Sequence, residues 1–183
     1  MSDSAPRPAG RPLYTAEERA RRDSTPWTLV QGVLAPLQLL AFFVSLWLVL
    51  RYLDSGAGAE AATLSVIVKT GFLYAIMVTG AIWEKEVFGV WLFARPFFWE
   101  DVVSMAVIAL HTAYLFAWLT GALAVREQLL LALVAYAAYV VNAAQFFHKL
   151  RLARRDAAGE AQTAARTTHA RGTAAARNLA AGT

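Results

Sequence analysis

Four long apolar runs, about Trp27 to Leu53, Ala61 to Ile82, Val102 to Leu119 and Leu129 to Phe147, constrain this chain more than any motif in it. Each is about 18 to 27 residues, and at ~1.5 Å of rise per residue a helix of that length crosses a hydrocarbon core of roughly 30 Å. A lone strand would leave its backbone unpaired in lipid, so helices are expected. Composition agrees, because 58% of the 183 residues are hydrophobic and only 16% are charged, more apolar than a water-soluble domain requires. The expected fold class is all-α: a polytopic membrane protein with four transmembrane helices, near 27–53, 61–83, 99–119 and 129–150, in a small bundle with disordered termini.

Basic residues suggest an orientation. Arg7, Arg11, Arg19, Arg21 and Arg22 precede the first run, Lys149, Arg151, Arg154 and Arg155 follow the fourth, and the first and third connections hold little besides Arg51 and Arg126. By the positive-inside bias both termini face the cytoplasm, and so does the second connection. The first run is too long for the apolar core of a cleaved signal and is expected to remain as an anchor. The formal charge of +4 then meets anionic lipid headgroups rather than nucleic acid. The absence of cysteine excludes disulfides, thiolate metal sites and cysteine nucleophiles. Three regions are expected: a cytoplasmic N-terminal segment, 1–26, the four-helix domain, 27–150, and a basic tail rich in Ala, Thr and Arg, 151–183, that reads as disordered. In the first, Thr15 and Glu18 stand at capping-box spacing and predict a short surface helix, while Thr25 and Pro26 predict the start of the first span.

A charged side chain near the centre of a span costs about 2.5 to 3.5 kcal/mol on insertion scales, so it should face protein or a water-filled cavity. Gln31, Gln38 and Ser45 repeat every seven residues on the first span. Lys69 lies on the second, with Glu84 within about 60° of its face. Glu100, Ser104, Val107 and His111 form one stripe on the third, and Asn142, Gln145 and Lys149, with Tyr139 beside them, form one on the fourth. Together these stripes are able to wall a chamber open toward the cytoplasm. The plainer reading of the amides and Ser104 is hydrogen bonding between helices.

The second connection, WEKEVFGVWLFARPFFWED from Trp83 to Asp101, combines carboxylates (Glu84, Glu86, Glu100, Asp101) with Lys85, Arg95 and seven large aromatics. An interfacial belt explains such aromatics one by one, and headgroup contacts explain Lys85 and Arg95. Solubility alone does not call for acid and flat apolar surface together. Pro96 predicts the start of the third helix. Phosphate loops, metal-binding His pairs and nucleophile elbows are missing from the sequence. A haem between His111 and His148 is disfavoured, because His111 lies about 16 Å from the cytoplasmic end of its helix and His148 near the end of its own.

The stretches RPLYTAEERARRDSTPWTLVQGVLAP, MVTGAIWEKEVFG, FFWEDVVSMAVIALHTAYL and NAAQFFHKLRLAR resemble the 3-vinyl (2-vinyl) bacteriochlorophyllide hydratases of bacteriochlorophyll biosynthesis, over about Pro12 to Arg155. The resemblance implies a hydro-lyase that adds water to the C3 vinyl group of chlorophyllide a or a related bacteriochlorophyllide. It implies water as co-substrate, no redox cofactor, and a bacterial inner (cytoplasmic or intracytoplasmic) membrane. Membrane lipid and other enzymes of the same pathway are the further expected partners.

The resemblance does not supply the site, which follows from the chemistry of the addition. A neutral acid must protonate the terminal vinyl carbon, and a base must take a proton from water. Glu100 or Asp101 is the expected acid, Glu84 the base, and His111 a reserve for either role. Trp83, Trp91 and Trp99, with Phe97 and Phe98, offer faces to a flat tetrapyrrole. Lys85 or Arg95 suits its propionate, and Lys69, Asn142 and Gln145 complete the expected binding set. No protein metal site is expected; His111 or His148 is a candidate axial contact to the substrate's own magnesium. The rival readings are a non-catalytic pigment-binding or assembly factor, which needs the aromatics but not the acids, and a small transporter or quinone-site subunit.

Overall fold

The computed structural model describes residues 13–181, and they form five helices: α1 (Ala16–Ser24), α2 (Pro26–Ser55), α3 (Ala59–Phe88), α4 (Phe98–Thr120) and α5 (Val125–Ala181). The disorder expected for residues 1–12 lies outside the described residues. Four helices, Pro26–Ser55, Ala59–Phe88, Phe98–Thr120 and Val125–Gly159, are long and apolar enough to cross a membrane. Large apolar side chains cover their outward faces, with Leu29 and Leu119 exposed by 73% and 72%. Lipid is the solvent that such a surface fits. The chain is a four-span membrane protein.

Local chemistry sets the helix ends. Thr15 and Glu18 form the capping box of α1: the Thr15 hydroxyl accepts from the Glu18 amide and the Glu18 carboxylate accepts from the Thr15 amide. Thr25 caps α2, with Pro26 in its first turn. Gly56 and Gly58, at φ 71° and 85°, take the left-handed conformations that reverse the chain between α2 and α3. These two helices then run antiparallel, with Ser45 bonded to Ser65 and Gln31 to Thr79. α4 begins at Phe98, two residues past Pro96. Phe42, Val49, Val66, Val107, Tyr114, Leu129 and Tyr136 belong to the core where the spans meet.

By packing the chain divides into two units, Tyr14–Phe146 and Met1–Leu13 with Phe147–Thr183. The first holds α1 to α4 and the beginning of α5. In the second, α5 continues as helix to Ala181. Ala, Arg, Gln and Glu are strong helix formers, and no proline interrupts them there.

Candidate active site

The last turn of α3 and the first of α4 bring three carboxyl groups together. Glu84, Glu100 and Asp101 are 5%, 6% and 4% exposed, although each lies beside the connection between the helices. The connection folds back over them. Glu84 accepts a hydrogen bond from the Ala94 amide at 3.0 Å, and Asp101 accepts one from the Phe93 amide at 2.7 Å. The Glu84 and Asp101 carboxyl groups are also neighbours, close enough to interact directly. An ionised carboxylate has no hydrogen to donate, so a direct hydrogen bond between the two is open only to a pair in which one carries a proton. To present successive amides to the pair, Phe93 adopts φ 61°, a left-handed conformation that costs a residue with a Cβ of order 1–3 kcal/mol.

Glu100 stands next to this pair, and Asn142 joins it from α5. The Asn142 amide donates to the Glu100 carbonyl at 3.0 Å and to the Ser104 hydroxyl at 2.9 Å. Gln145, one turn further along α5, buries its Oε1 with no hydrogen-bond partner among the described residues. The fourth carboxylate of the connection points elsewhere: Glu86 accepts from the Thr25 hydroxyl and, at 3.1 Å, from the Trp27 indole.

The aromatic residues split into two sets. Trp83 and Phe97 are packed inward with Tyr14, Phe88 and Phe146, and the Trp83 indole donates to Thr28 at 2.9 Å. Trp91, Trp99 and Phe98 are exposed by 60%, 68% and 44%. Arg95 is exposed in the same segment, and Lys85, also exposed, donates to the Gly89 carbonyl at 2.9 Å. Apolar faces and two cations therefore lie outside the acid group, and the inward aromatics hold the helices beneath it.

Lys69 and His111 form a separate polar centre deeper in the bundle. Along the helices it lies about 16 Å from Glu100 and about 22 Å from Glu84. Both side chains are fully buried, with Lys69 Nζ 2.5 Å from His111 Nε2. His111 Nδ1 bonds the Val107 carbonyl at 2.7 Å, which puts hydrogen on Nδ1 and leaves Nε2 to accept from Lys69. Both ring nitrogens are thus engaged, and His111 offers no lone pair to a magnesium ion in this arrangement. Lys69 Nζ also sits over the rings of Tyr139 and Tyr136, at 4.2 and 5.0 Å, and Tyr136 continues through a 2.5 Å bond to Ser45. Of the residues expected to wall a chamber, Lys69, His111, Tyr139 and Ser45 here bond or pack against one another or against Tyr136. His148 is exposed and lies in the second unit.

A groove of about 370 Å³ opens at the other end of the bundle, lined by Thr63, Ile67, Trp118, Gln128 and Glu60. Its single carboxylate cannot supply an acid and a base. Sequence reasoning missed the Phe93 and Ala94 amides, Tyr136, and the contacts of Tyr14 and Arg21. Backbone donors leave no trace in residue type. Tyr136, by contrast, was findable, three residues before Tyr139 on the same helical face.

A family profile described as 2-vinyl bacteriochlorophyllide hydratase matches residues 14–152. The 2-vinyl bacteriochlorophyllide hydratase of Rhodobacter capsulatus is 63% identical over 160 residues, covering 87% of this chain and 93% of that protein. The protein of the same name from Cereibacter sphaeroides is 62% identical over 156 residues, covering 85% and 97%. No solved structure matches significantly. With a profile over all four spans and relatives that align nearly end to end, this chain belongs to the 2-vinyl bacteriochlorophyllide hydratase family.

Proposed function

We propose that this chain adds water to the C3 vinyl group of chlorophyllide a or a closely related bacteriochlorophyllide, giving the 3-(1-hydroxyethyl) derivative in bacteriochlorophyll biosynthesis. The names of its relatives support the substrate class and reaction. The observation that carries the mechanism is the buried pair of carboxyl groups, Glu84 and Asp101, each held by an amide of the loop between α3 and α4; in the reading proposed here the pair shares one proton.

Asp101, as the acid, transfers its proton to the terminal vinyl carbon; the alkene's electron pair forms the new C–H bond. The inner carbon becomes cationic and is stabilised by the conjugated macrocycle and by the two carboxylates now beside it. Water attacks that carbon and Glu84 takes the proton the water gives up. The proton has moved from Asp101 to Glu84, and transfer between the neighbouring carboxyl groups returns it. Atoms and electrons balance without oxidant or reductant, so the step calls for no redox cofactor, and the magnesium belongs to the substrate. His111, already bonded to Lys69 at depth, takes no part in this cycle.

Substrate entry displaces the Phe93 and Ala94 amides from the carboxyl groups, and release of the left-handed Phe93 backbone offsets part of that cost. Trp91 and Trp99 supply stacking faces outside the acids, and Arg95 or Lys85 pairs with the substrate's propionate. The basic flanks favour an inner-membrane protein with both termini in the cytoplasm, which puts the acids at the cytoplasmic rim.

The test is incubation of membranes holding this protein with chlorophyllide in water enriched in heavy oxygen. Labelled product with a spectrum lacking vinyl conjugation supports hydration. Retention of unaltered pigment by an intact protein would leave the binding-factor reading standing instead.

A further inference from the structure

Glu84 and Glu86 are two residues apart, roughly 200° around the helix, and the structure gives them opposite surroundings. Glu84 meets the loop and α4, whereas both oxygens of Glu86 take directed hydrogen bonds from Thr25 and Trp27, at the corner between α1 and α2. The neighbours of Glu86 are gripped from the same side. Arg21 Nε donates to the Val87 carbonyl at 2.8 Å, which has no following helical turn to bond. Tyr14 stacks on Phe88 with ring centres 5.8 Å apart and planes 12° from parallel; burial pushes the Tyr14 phenol above its ordinary value, so the ring stays neutral. A final helical turn ordinarily frays. This one is clamped, and Glu84 is the residue on it that the clamp leaves aimed at Asp101.

We propose that Glu86 is a positioning residue for the hydration, bracketing the end of α3 to the α1–α2 corner so that Glu84 is held in register with Asp101. This rests on the reading of Glu84 as a reacting group. Glu86 itself does not touch substrate; its work is to accept two hydrogen bonds. Its amide analogue retains an acceptor oxygen and should therefore retain much of the effect, which a proton-transferring carboxylate would not.

The experiment compares Glu86→Ala, Glu86→Gln, Trp27→Phe and Glu84→Gln in full-length protein, with rates normalised to folded protein. Glu86→Ala is expected to lower kcat about 10- to 100-fold, as a misplacement on the order of 1 Å does, with KM unchanged. Glu86→Gln should recover most of that loss. Trp27→Phe should lower kcat as well, and combined with Glu86→Ala it should add little, because both remove one interaction. Wild-type kcat in Glu86→Ala overturns the proposal, as does equal inactivity of Glu86→Gln and Glu86→Ala, or a rate loss that disappears on normalisation. Activity in Glu84→Gln would instead defeat the underlying carboxylate reading. Inactive Glu84→Gln beside fully active Glu86→Ala defeats the bracket alone.

Discussion

The carboxyl groups at the rim and the Lys69–His111 centre are both buried and both polar, but different parts of the chain satisfy them. At the rim, Glu84 and Asp101 accept from the backbone of the segment between α3 and α4, a connection and not a span. In mid-bundle, Lys69 on α3, His111 on α4, Tyr136 and Tyr139 on α5 and Ser45 on α2 bond or pack side chain to side chain. Those partners are all side chains of the spans themselves. A reacting group must exchange its partners for substrate at every turnover, whereas a structural one must keep them. On the function proposed above, the rim answers to the first requirement and the mid-bundle centre to the second.

The largest effect that separates the two regions is expected from Asp101→Asn and Glu84→Gln. Each amide keeps an oxygen to accept from Phe93 or Ala94 and also supplies a donor to the remaining carboxylate, so the local fold should persist. Loss of acid or base function should lower the hydration rate by about 10²- to 10⁴-fold. Product formation, measured beside thermal unfolding in detergent, checks both halves. Full activity in both variants would place the chemistry elsewhere and invert the comparison.

An intermediate effect, on stability rather than rate, is expected in mid-bundle. Lys69→Met leaves His111 Nε2 buried without its donor, a loss of about 1–3 kcal/mol. The double variant Lys69→Met with His111→Leu removes both polar partners and should be more stable than Lys69→Met alone, since apolar replacement of a whole buried pair is often neutral. Denaturation in detergent reads this directly. Activity per folded molecule should remain in both, and its disappearance would make the deep centre part of the reaction.

Which polar residues turn inward was legible in the sequence, for a physical reason, but their division into two groups was not, since the residues alone place Lys69 and His111 at one site with Glu84 and Asp101. Helical periodicity in an apolar run marks which polar residues must face inward, and Glu100, Ser104, Val107 and His111 are all buried along one stripe of α4. The four spans follow equally directly from length and apolarity. Pairing across helices is a different matter. It depends on register, so nothing local tied Lys69 to His111, or gave Glu84 to Asp101 and Glu86 to Thr25. The two glutamates look alike in WEKEVFG, and only the neighbour each one faces distinguishes them. The loop amides escaped for another reason, since any residue but proline has one.

The smallest effect is expected at Phe93, and it tests whether backbone or side chain matters at the rim. Phe93→Gly preserves the amide that Asp101 accepts and removes the Cβ that makes φ 61° costly. The relief is offset by the greater freedom glycine gains in the unfolded chain, so the net change in stability should be within about 1 kcal/mol. The ring is 41% exposed and packs against Phe98 at 5.7 Å, a contact the acids do not use. Kinetics of Phe93→Gly should therefore stay close to wild type in kcat. A fall as deep as that of Asp101→Asn would mean that the ring itself meets the pigment, and the rim would then work through its aromatic face as much as through its acids.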